Sequence, residues 1–146
     1  MRKLLISCLI AFTLLLAACG DSSTSTSGPA PTATVPAPTA TTPANAAATV
    51  GMNGFAFTGP TSITIKAGQG VFFNDPPGND GGVHNLVTGK NGGYEEQPGA
   101  PAAFASSTGI NFTPGDHQVI VFPKAGTYTI TCAIHPDMLV AIIVKK

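Results

Sequence analysis

Three residue types that bind transition metals stand close together near the end of the sequence. Cys132, His135 and Met138 are spaced three residues apart, in a segment that lies between two apolar runs. A loop this short can fold its three side chains around one point. A thiolate and a thioether are soft ligands and an imidazole is intermediate, so the segment favours a soft or borderline metal ion.

A fourth potential ligand, His84, lies on a predicted strand two residues before Leu86. Side chains two residues apart share a face of a strand, so an inward Leu86 implies an inward His84. The same alternation places Tyr128, Ile130 and Cys132 on one face and the intervening threonines on the other. Two His, one Cys and a weak axial Met form the ligand set of a blue copper site, which suits one-electron transfer, whereas structural zinc sites rarely use a thioether.

The elements that must position these residues are predicted to be short strands. From Val50 onward, apolar runs alternate with Gly, Pro, Asn and Asp and show no helical period, which indicates an antiparallel β-sandwich or barrel. The Gly/Pro-rich segment 89–108 is interpreted as a long excursion pinned by Phe104. The predicted strands are 54–58, 62–66, 70–74, 83–88, 109–112, 118–122, 127–132 and 139–144.

The first 49 residues have a different composition. Arg2 and Lys3 precede an apolar run that ends in the sequence LAAC at residues 16–19, which resembles a bacterial lipobox. We therefore predict a lipoprotein signal peptide at 1–18, a lipidated Cys19 with a Ser/Thr/Pro/Ala-rich disordered linker over 19–49, and a folded domain over 50–146. The alternative is an ordinary signal peptide with a coincidental Cys19. The linker is either a tether for partner search or a passive spacer.

Charge and cysteine content restrict the function further. Cleavage before Cys19 would leave five lysines, seven acidic residues and no arginine, a formal charge of five minus seven, or −2. This argues against nucleic acid as a partner and favours recognition through apolar surface. With Cys8 removed and Cys19 lipidated, Cys132 would be the one thiol of the mature chain. In an oxidising compartment such a thiol is either buried and inert or bound to a metal.

The segment 51–146 resembles a cupredoxin, the small blue-copper family that includes plastocyanin, pseudoazurin and amicyanin. The sequence VHNLV at 83–87 matches the family's first histidine motif, and 132–138 matches its C-terminal ligand loop with the spacing of amicyanin. Residues 65–68 and 125–128 also look like family sequence. The resemblance implies an all-β Greek-key β-sandwich of about seven to eight strands. It also implies one copper ion, cycling between Cu(I) and Cu(II), with His84, Cys132 and His135 near a plane and Met138 as a long axial ligand.

The resemblance also implies roles for residues around the copper. Asn85 would tie the His84 loop to the Cys132 loop, and its backbone N–H would donate a hydrogen bond to the Cys132 sulfur. One ring edge of His135 would reach solvent in an apolar patch with Pro136 and one of the prolines 76 and 77, and electrons would enter and leave there. Where the family often has Gly two residues after the Met, this sequence has Val140, which would shift the exit of the loop.

Together these observations predict an extracytoplasmic, lipid-anchored monomer, in the periplasm or on the outer face of the cell membrane. It would carry single electrons between transient protein donors and acceptors. The alternative is copper storage or delivery, although the linker lacks the Met- or His-rich segments that this would favour. A metal-free adhesion module is a further alternative. A copper enzyme is disfavoured because three histidines do not supply a second copper site, and His117 is predicted to be a solvated surface residue.

Overall fold

The computed structural model describes residues 42–146, and their regular structure consists of β-strands. The predicted signal peptide, Cys19 and most of the predicted linker lie outside the described residues. The described part of the chain has no helix whose length and hydropathy would let it cross a membrane. The strands are β1 Ala46–Asn53, β2 Ala56–Thr58, β3 Ser62–Lys66, β4 Gly70–Asn74, β5 His84–Lys90, β6 Gly93–Tyr94, β7 Ile110–Phe112, β8 His117–Val121, β9 Gly126–Cys132 and β10 Leu139–Lys145.

These strands form two mixed sheets. The first has the order β2-β1-β4-β8, and the second has the order β3-β10-β9-β5-β6 with β7 also paired to β5. The predicted all-β Greek-key sandwich is confirmed. The expectation of purely antiparallel pairing is wrong at two places, because β1 runs parallel to β4 and β10 runs parallel to β3. Strand β3 belongs to the second sheet, so the chain crosses to the first sheet between β3 and β4. After this crossover β4 lies beside β1 and runs in the same direction.

Each of the eight predicted strands has a counterpart, and two strands, β1 and β6, were not predicted. Strand β1 begins at Ala46, so residues 46–49, assigned to the linker from sequence, belong to a strand. Their alanines and threonine carry no apolar alternation. These residues form a strand because they pair with the neighbouring strand β4, in which Phe72 lies opposite Thr49 and Phe73 lies opposite Val50. Strand β6 has two residues and pairs with the end of β5, at the start of the predicted excursion.

Both sheets contribute side chains to one hydrophobic core. The excursion contributes Phe104, which is fully buried, with its ring centroid 5.3 Å from that of Phe73 and 6.2 Å from that of Phe122. The prediction that Phe104 pins the excursion is therefore confirmed. Buried apolar residues of the first sheet include Val50, Met52, Val71, Phe73 and Ile120, and those of the second include Ile63, Ile65, Leu86, Tyr128, Ile130, Val140 and Ile142.

The excursion also covers the outer face of β9. The side-chain amide of Gln97 donates to the carbonyl and hydroxyl oxygens of Thr129 and accepts a hydrogen bond from its N–H. The N–H of Gly92 donates to the hydroxyl of Thr131, which is fully buried. Two of the three threonines on this face of β9 are thus covered by the excursion, and the part of β9 that leads to Cys132 is held by these bonds as well as by its pairing with β5 and β10.

Candidate metal centre

Two neighbouring strands of the second sheet deliver the first two ligands. Strands β5 and β9 are antiparallel, with Leu86 opposite Cys132. His84 lies two residues before Leu86, on the same face, and all three side chains have no solvent exposure. The inward direction predicted for His84 and for Cys132 is confirmed. The pairing register therefore brings an imidazole and a thiol together in the core at one end of the sandwich.

The loop between β9 and β10 is held by three main-chain hydrogen bonds. The N–H of Cys132 donates to the carbonyl of Met138 at 3.2 Å, and the N–H of Met138 donates to the carbonyl of His135 at 3.0 Å. The N–H of Ala133 donates to the carbonyl of Asn85 at 2.7 Å, which links the loop to β5. These bonds fold the loop back on itself, so Cys132, His135 and Met138 occupy one short turn.

Three donor atoms converge at this point. Nδ1 of His84 lies 3.1 Å from Nδ1 of His135 and 4.0 Å from Sγ of Cys132, and the distance from this sulfur to Nδ1 of His135 is 3.7 Å. A triangle with sides of 3.1, 3.7 and 4.0 Å has a circumscribed circle of radius about 2.1 Å. One point in the plane of the three atoms is therefore about 2.1 Å from each of them.

That radius suits a first-row transition metal, for which Zn–N distances of about 2.0–2.1 Å and Zn–S distances of about 2.3 Å set the scale. A trigonal His₂Cys donor set is the arrangement of blue-copper sites. The three predicted equatorial ligands are also the His/Cys/Asp/Glu group that could hold a metal within the described part of the chain. Met138 is buried in the same core cluster as Cys132. Its role as axial ligand stays a prediction.

Burial controls the charge of the first histidine. Removal from water disfavours the imidazolium ion and lowers the pKa of His84 below its ordinary value of 6.5. The carboxyl group of Asp75 acts in the opposite direction and His135 in the same direction, and both effects are smaller than that of burial. A neutral imidazole is the form that binds a metal ion, so the buried position favours metal binding over proton binding.

The second histidine lies at the surface of the site. His135 is partly exposed, and its ring meets Phe55 edge-on with the ring centroids 5.0 Å apart. Phe55 and Ile134 are 67% and 51% exposed. Together with Pro136 and Asp137 these residues line a shallow depression of about 310 Å³. The predicted apolar surroundings of His135 thus include Pro136, while the prolines 76 and 77 are not among the lining residues.

Asn85 ties the His84 segment to the Cys132 loop, as predicted. Its carbonyl oxygen accepts the hydrogen bond from Ala133, so the link to the Cys132 loop is made by the main chain. Its side-chain amide donates instead to the carbonyl of Thr108 and to Oδ1 of Asn111, both 2.8 Å away. This direction follows from pairing with β7, in which Asn85 lies opposite Asn111. A bond from its N–H to the Cys132 sulfur stays a prediction.

Three residues near the donors were not identified from sequence. Phe55 lies in the turn between β1 and β2, and Asp75 and Asn79 lie in the connection between β4 and β5. Phe55 falls in the predicted strand 54–58, and nothing in that pattern directs it toward His135. Nothing in the local pattern marks Asp75 and Asn79, because their partners are distant in sequence. His117 is exposed, so its prediction as a surface residue is confirmed.

The fold and the donor set define an all-β protein with a candidate His₂Cys metal centre at one end of a sandwich. A family model described as copper binding proteins, plastocyanin/azurin family, matches residues 44–145. The chain therefore belongs to this family, the cupredoxins. The predicted copper cofactor agrees with the family and with the donor set.

Solved structures of amicyanin are similar to this chain. Amicyanin from Paracoccus versutus (Thiobacillus versutus) is 26% identical, covers 71% of this chain and 85% of its own, and has a TM-score of 0.50. A reduced tryptophan-to-tyrosine variant of amicyanin is 18% identical, covers 71% and 86%, and also has a TM-score of 0.50, which shows likeness of fold. The comparison with curated proteins gave no match.

A first prediction concerns the turn that supports the ligand loop. Gly92 has a φ of +75°, and a Cβ atom there would lie 3.2–3.3 Å from side-chain atoms of Pro136. We expect Gly92→Ala to lose about 1 kcal/mol of unfolding free energy through backbone strain and to displace Pro136 next to His135. Urea unfolding and the absorption spectrum of the copper-loaded protein measure the two effects.

Gly68→Ala is the matched control, because Gly68 has a φ of +85° and nothing within 4 Å of an added Cβ. It should lose a similar unfolding free energy and keep the spectrum of the wild type. If both variants keep that spectrum, Gly92 has no role in positioning the ligand loop.

A second prediction concerns pH. Because the folded pKa of His84 lies below 6.5, the unfolded chain binds a proton more tightly than the folded chain does. The free energy of unfolding of the metal-free protein should therefore decrease as the pH falls below about 6.5, until the folded pKa is reached. His84→Gln should show a shallower decrease in urea unfolding over this interval. Above about pH 7.5 the two proteins should have the same pH dependence, and equal dependence below pH 6.5 would contradict the assignment.

Proposed function

We propose that this cupredoxin is a one-electron carrier with a single type 1 copper site. His84, Cys132 and His135 are the equatorial ligands and Met138 is the axial ligand. The observation that carries this proposal is the convergence of two imidazole nitrogens and one thiol sulfur on a circle of about 2.1 Å radius. Copper in such a site alternates between Cu(I) and Cu(II), a one-electron change.

The protein contributes rigidity at this site. His84 and Cys132 are fully buried, which excludes water from two of the three donors. Hydrogen bonds within the loop and to Asn85 fix the spacing of Cys132, His135 and Met138. Donor atoms that start close to their bonded positions have little distance to move when the charge of the metal changes. This supports rapid electron exchange rather than uptake and release of the metal.

Electrons are proposed to pass through the exposed edge of His135. Its ring is the part of the donor set that reaches the surface, and it lies among Phe55, Ile134 and Pro136. Asp137 is the one charged residue that lines this depression. An apolar rim with little charge suits short-lived contact with redox proteins, because it gives no strong electrostatic hold. We propose that the donor and the acceptor both dock here in turn, with the carrier as a monomer.

Copper storage or delivery is the alternative that the sequence left open. Such a protein needs ligands from which a partner can take the metal. Here the sulfur donor and one imidazole have no solvent exposure, and the ligand loop is closed by main-chain hydrogen bonds. These features support the carrier over the alternative. We propose a carrier rather than an enzyme on the basis of the family match.

The spectrum of the copper-loaded protein tests this function. The Cu(II) form should absorb intensely at about 600 nm and show the narrow copper hyperfine splitting of a type 1 site in electron spin resonance, because a thiolate binds the metal. Cys132→Ser should abolish the band. His117→Gln, which changes an exposed histidine outside the site, should leave it intact. A colourless Cu(II) form of the wild type, or rapid loss of copper to a weak chelator, would overturn the proposal.

We further propose that the carrier works outside the cytoplasm, attached to a membrane through lipid on Cys19. The signal-like run and the LAAC sequence at residues 16–19 support this. In a bacterial host, the full-length chain should appear in the membrane fraction, and mass spectrometry should find an acylated Cys19 as the first residue. Cys19→Ser should remain uncleaved and lack the lipid. An unmodified chain beginning at another residue would contradict the lipid anchor.

A further inference from the structure

A row of buried polar side chains lies directly behind the donor cluster. Asp75, Asn79 and His84 have exposed fractions of 0%, 8% and 0%. Asp75 follows β4 of the first sheet, His84 begins β5 of the second, and Asn79 lies in the connection between them. The row therefore joins the two sheets at the metal end of the sandwich. Asp75 is fixed by its main chain, whose N–H donates to the carbonyl of Asp116 and whose carbonyl accepts from Gly115.

The orientation of the Asn79 amide follows from its partners. Oδ1 of Asn79 accepts hydrogen bonds from the N–H groups of Gly54 and Gly81. The opposite orientation would set the amide nitrogen against these two donors. Nδ2 therefore points the other way, where it donates to Oδ1 of Asp75 and lies 3.1 Å from Nε2 of His84.

This contact fixes which nitrogen of His84 carries the proton. An amide nitrogen only donates, so Nε2 of His84 accepts from it, and the neutral ring then carries its proton on Nδ1. Nδ1 is the atom that faces Cys132 and His135. A metal ion on Nδ1 needs the lone pair of that atom, so the ring proton must then reside on Nε2. The N–H at Nε2 needs an acceptor, as the second nitrogen of a metal-bound histidine almost always has one.

The row contains an acceptor with no other partner. Oδ2 of Asp75 is fully buried, and within residues 42–146 it is the buried side-chain oxygen or nitrogen without a hydrogen bond. We propose that Asp75 is a positioning residue for the metal centre, whose carboxylate accepts the Nε2–H of His84 when Nδ1 binds the metal. Asn79 keeps its bond to Oδ1 of Asp75 and no longer donates to His84. One ring proton changes nitrogen, so His84 itself gains or loses no proton, while the Cys132 thiol releases its proton when the sulfur binds the metal.

The carboxylate of Asp75 also places a negative charge beside the ring of His84, on the side away from the metal. A nearby negative charge stabilises Cu(II) more than Cu(I), because the oxidised ion carries the larger charge. The effect is strong at a buried position, where water does not screen the charge. Asp75 would thereby set both the ring orientation and the balance between the two oxidation states. This inference rests on the proposed copper site and adds the group that supports its first ligand.

The wild-type protein provides the first test, since both the metal-free and the Cu(I) forms are diamagnetic. Nitrogen-15 spectra should show the proton of His84 on Nδ1 in the metal-free protein and on Nε2 in the Cu(I) protein. In the Cu(I) form this proton should be hydrogen-bonded and slow to exchange with water. A metal-free ring protonated on Nε2, or an Nε2–H that exchanges rapidly in the Cu(I) form, would overturn the inference.

Replacement of the carboxylate provides the second test. Asp75→Asn keeps the shape of the side chain, removes its charge, and should shift the Cu(II)/Cu(I) equilibrium about tenfold toward Cu(I). That shift corresponds to a reduction potential higher by about 59 mV. Asp80→Asn is the matched control, because Asp80 lies in the same connection and is exposed. It should leave the potential close to that of the wild type.

Equal potentials for the Asp75 and Asp80 variants, with an intact blue spectrum in both, would refute the role of Asp75 and leave the electron-carrier proposal standing. Failure of the wild type to form a coloured Cu(II) site would refute the proposed function itself. The tautomers of His84 are measured in the wild-type protein, so the inference about Asp75 can be tested even if the Asp75→Asn variant folds poorly.

Discussion

The register between β5 and β9 is the constraint on which the metal centre depends. It places Leu86 opposite Cys132, and it thereby directs His84 to the same face of the sheet as the thiol. A shift of one residue would turn every side chain of one strand to the opposite face and separate the two donors. The register is fixed over several residues by core packing of Leu86, Tyr128 and Ile130. The stability of the fold and the geometry of the site therefore rest on the same contacts.

The remaining features of the site are built from short connections around these two strands. The ligand loop bonds to itself and to Asn85, and the excursion supports it from outside through Gly92. The connection from β4 to β5 supplies Asn79, which also holds the turn preceding Phe55 through Gly54. Asn79 contacts His84 directly and is linked through that turn to the aromatic neighbour of His135. One buried amide thus contacts His84 and also holds the turn that carries the aromatic neighbour of His135.

The local sequence pattern predicts the main architecture and the three donor residues that converge. Alternation along a strand gives the face of His84, Tyr128 and Cys132, because it depends only on neighbouring residues. It does not give partners from distant segments. Strand β1 was missed because its small residues are ordered by β4, and Asp75, Asn79 and Phe55 were missed because their contacts cross between loops. Asn85 was placed correctly beside the Cys132 loop, but pairing with β7 decided where its side chain points.

The direction of β1 has a consequence for access. The strand starts at Ala46 and ends at Asn53, two residues before Phe55 reaches His135. Eight extended residues cover roughly 23 Å, so Ala46 lies at the end of β1 that is remote from the exposed edge of His135. The first described residues therefore enter the sandwich far from the surface proposed for docking. A protein bound at the edge of His135 would lie about one strand length away from the Ala46 end of β1.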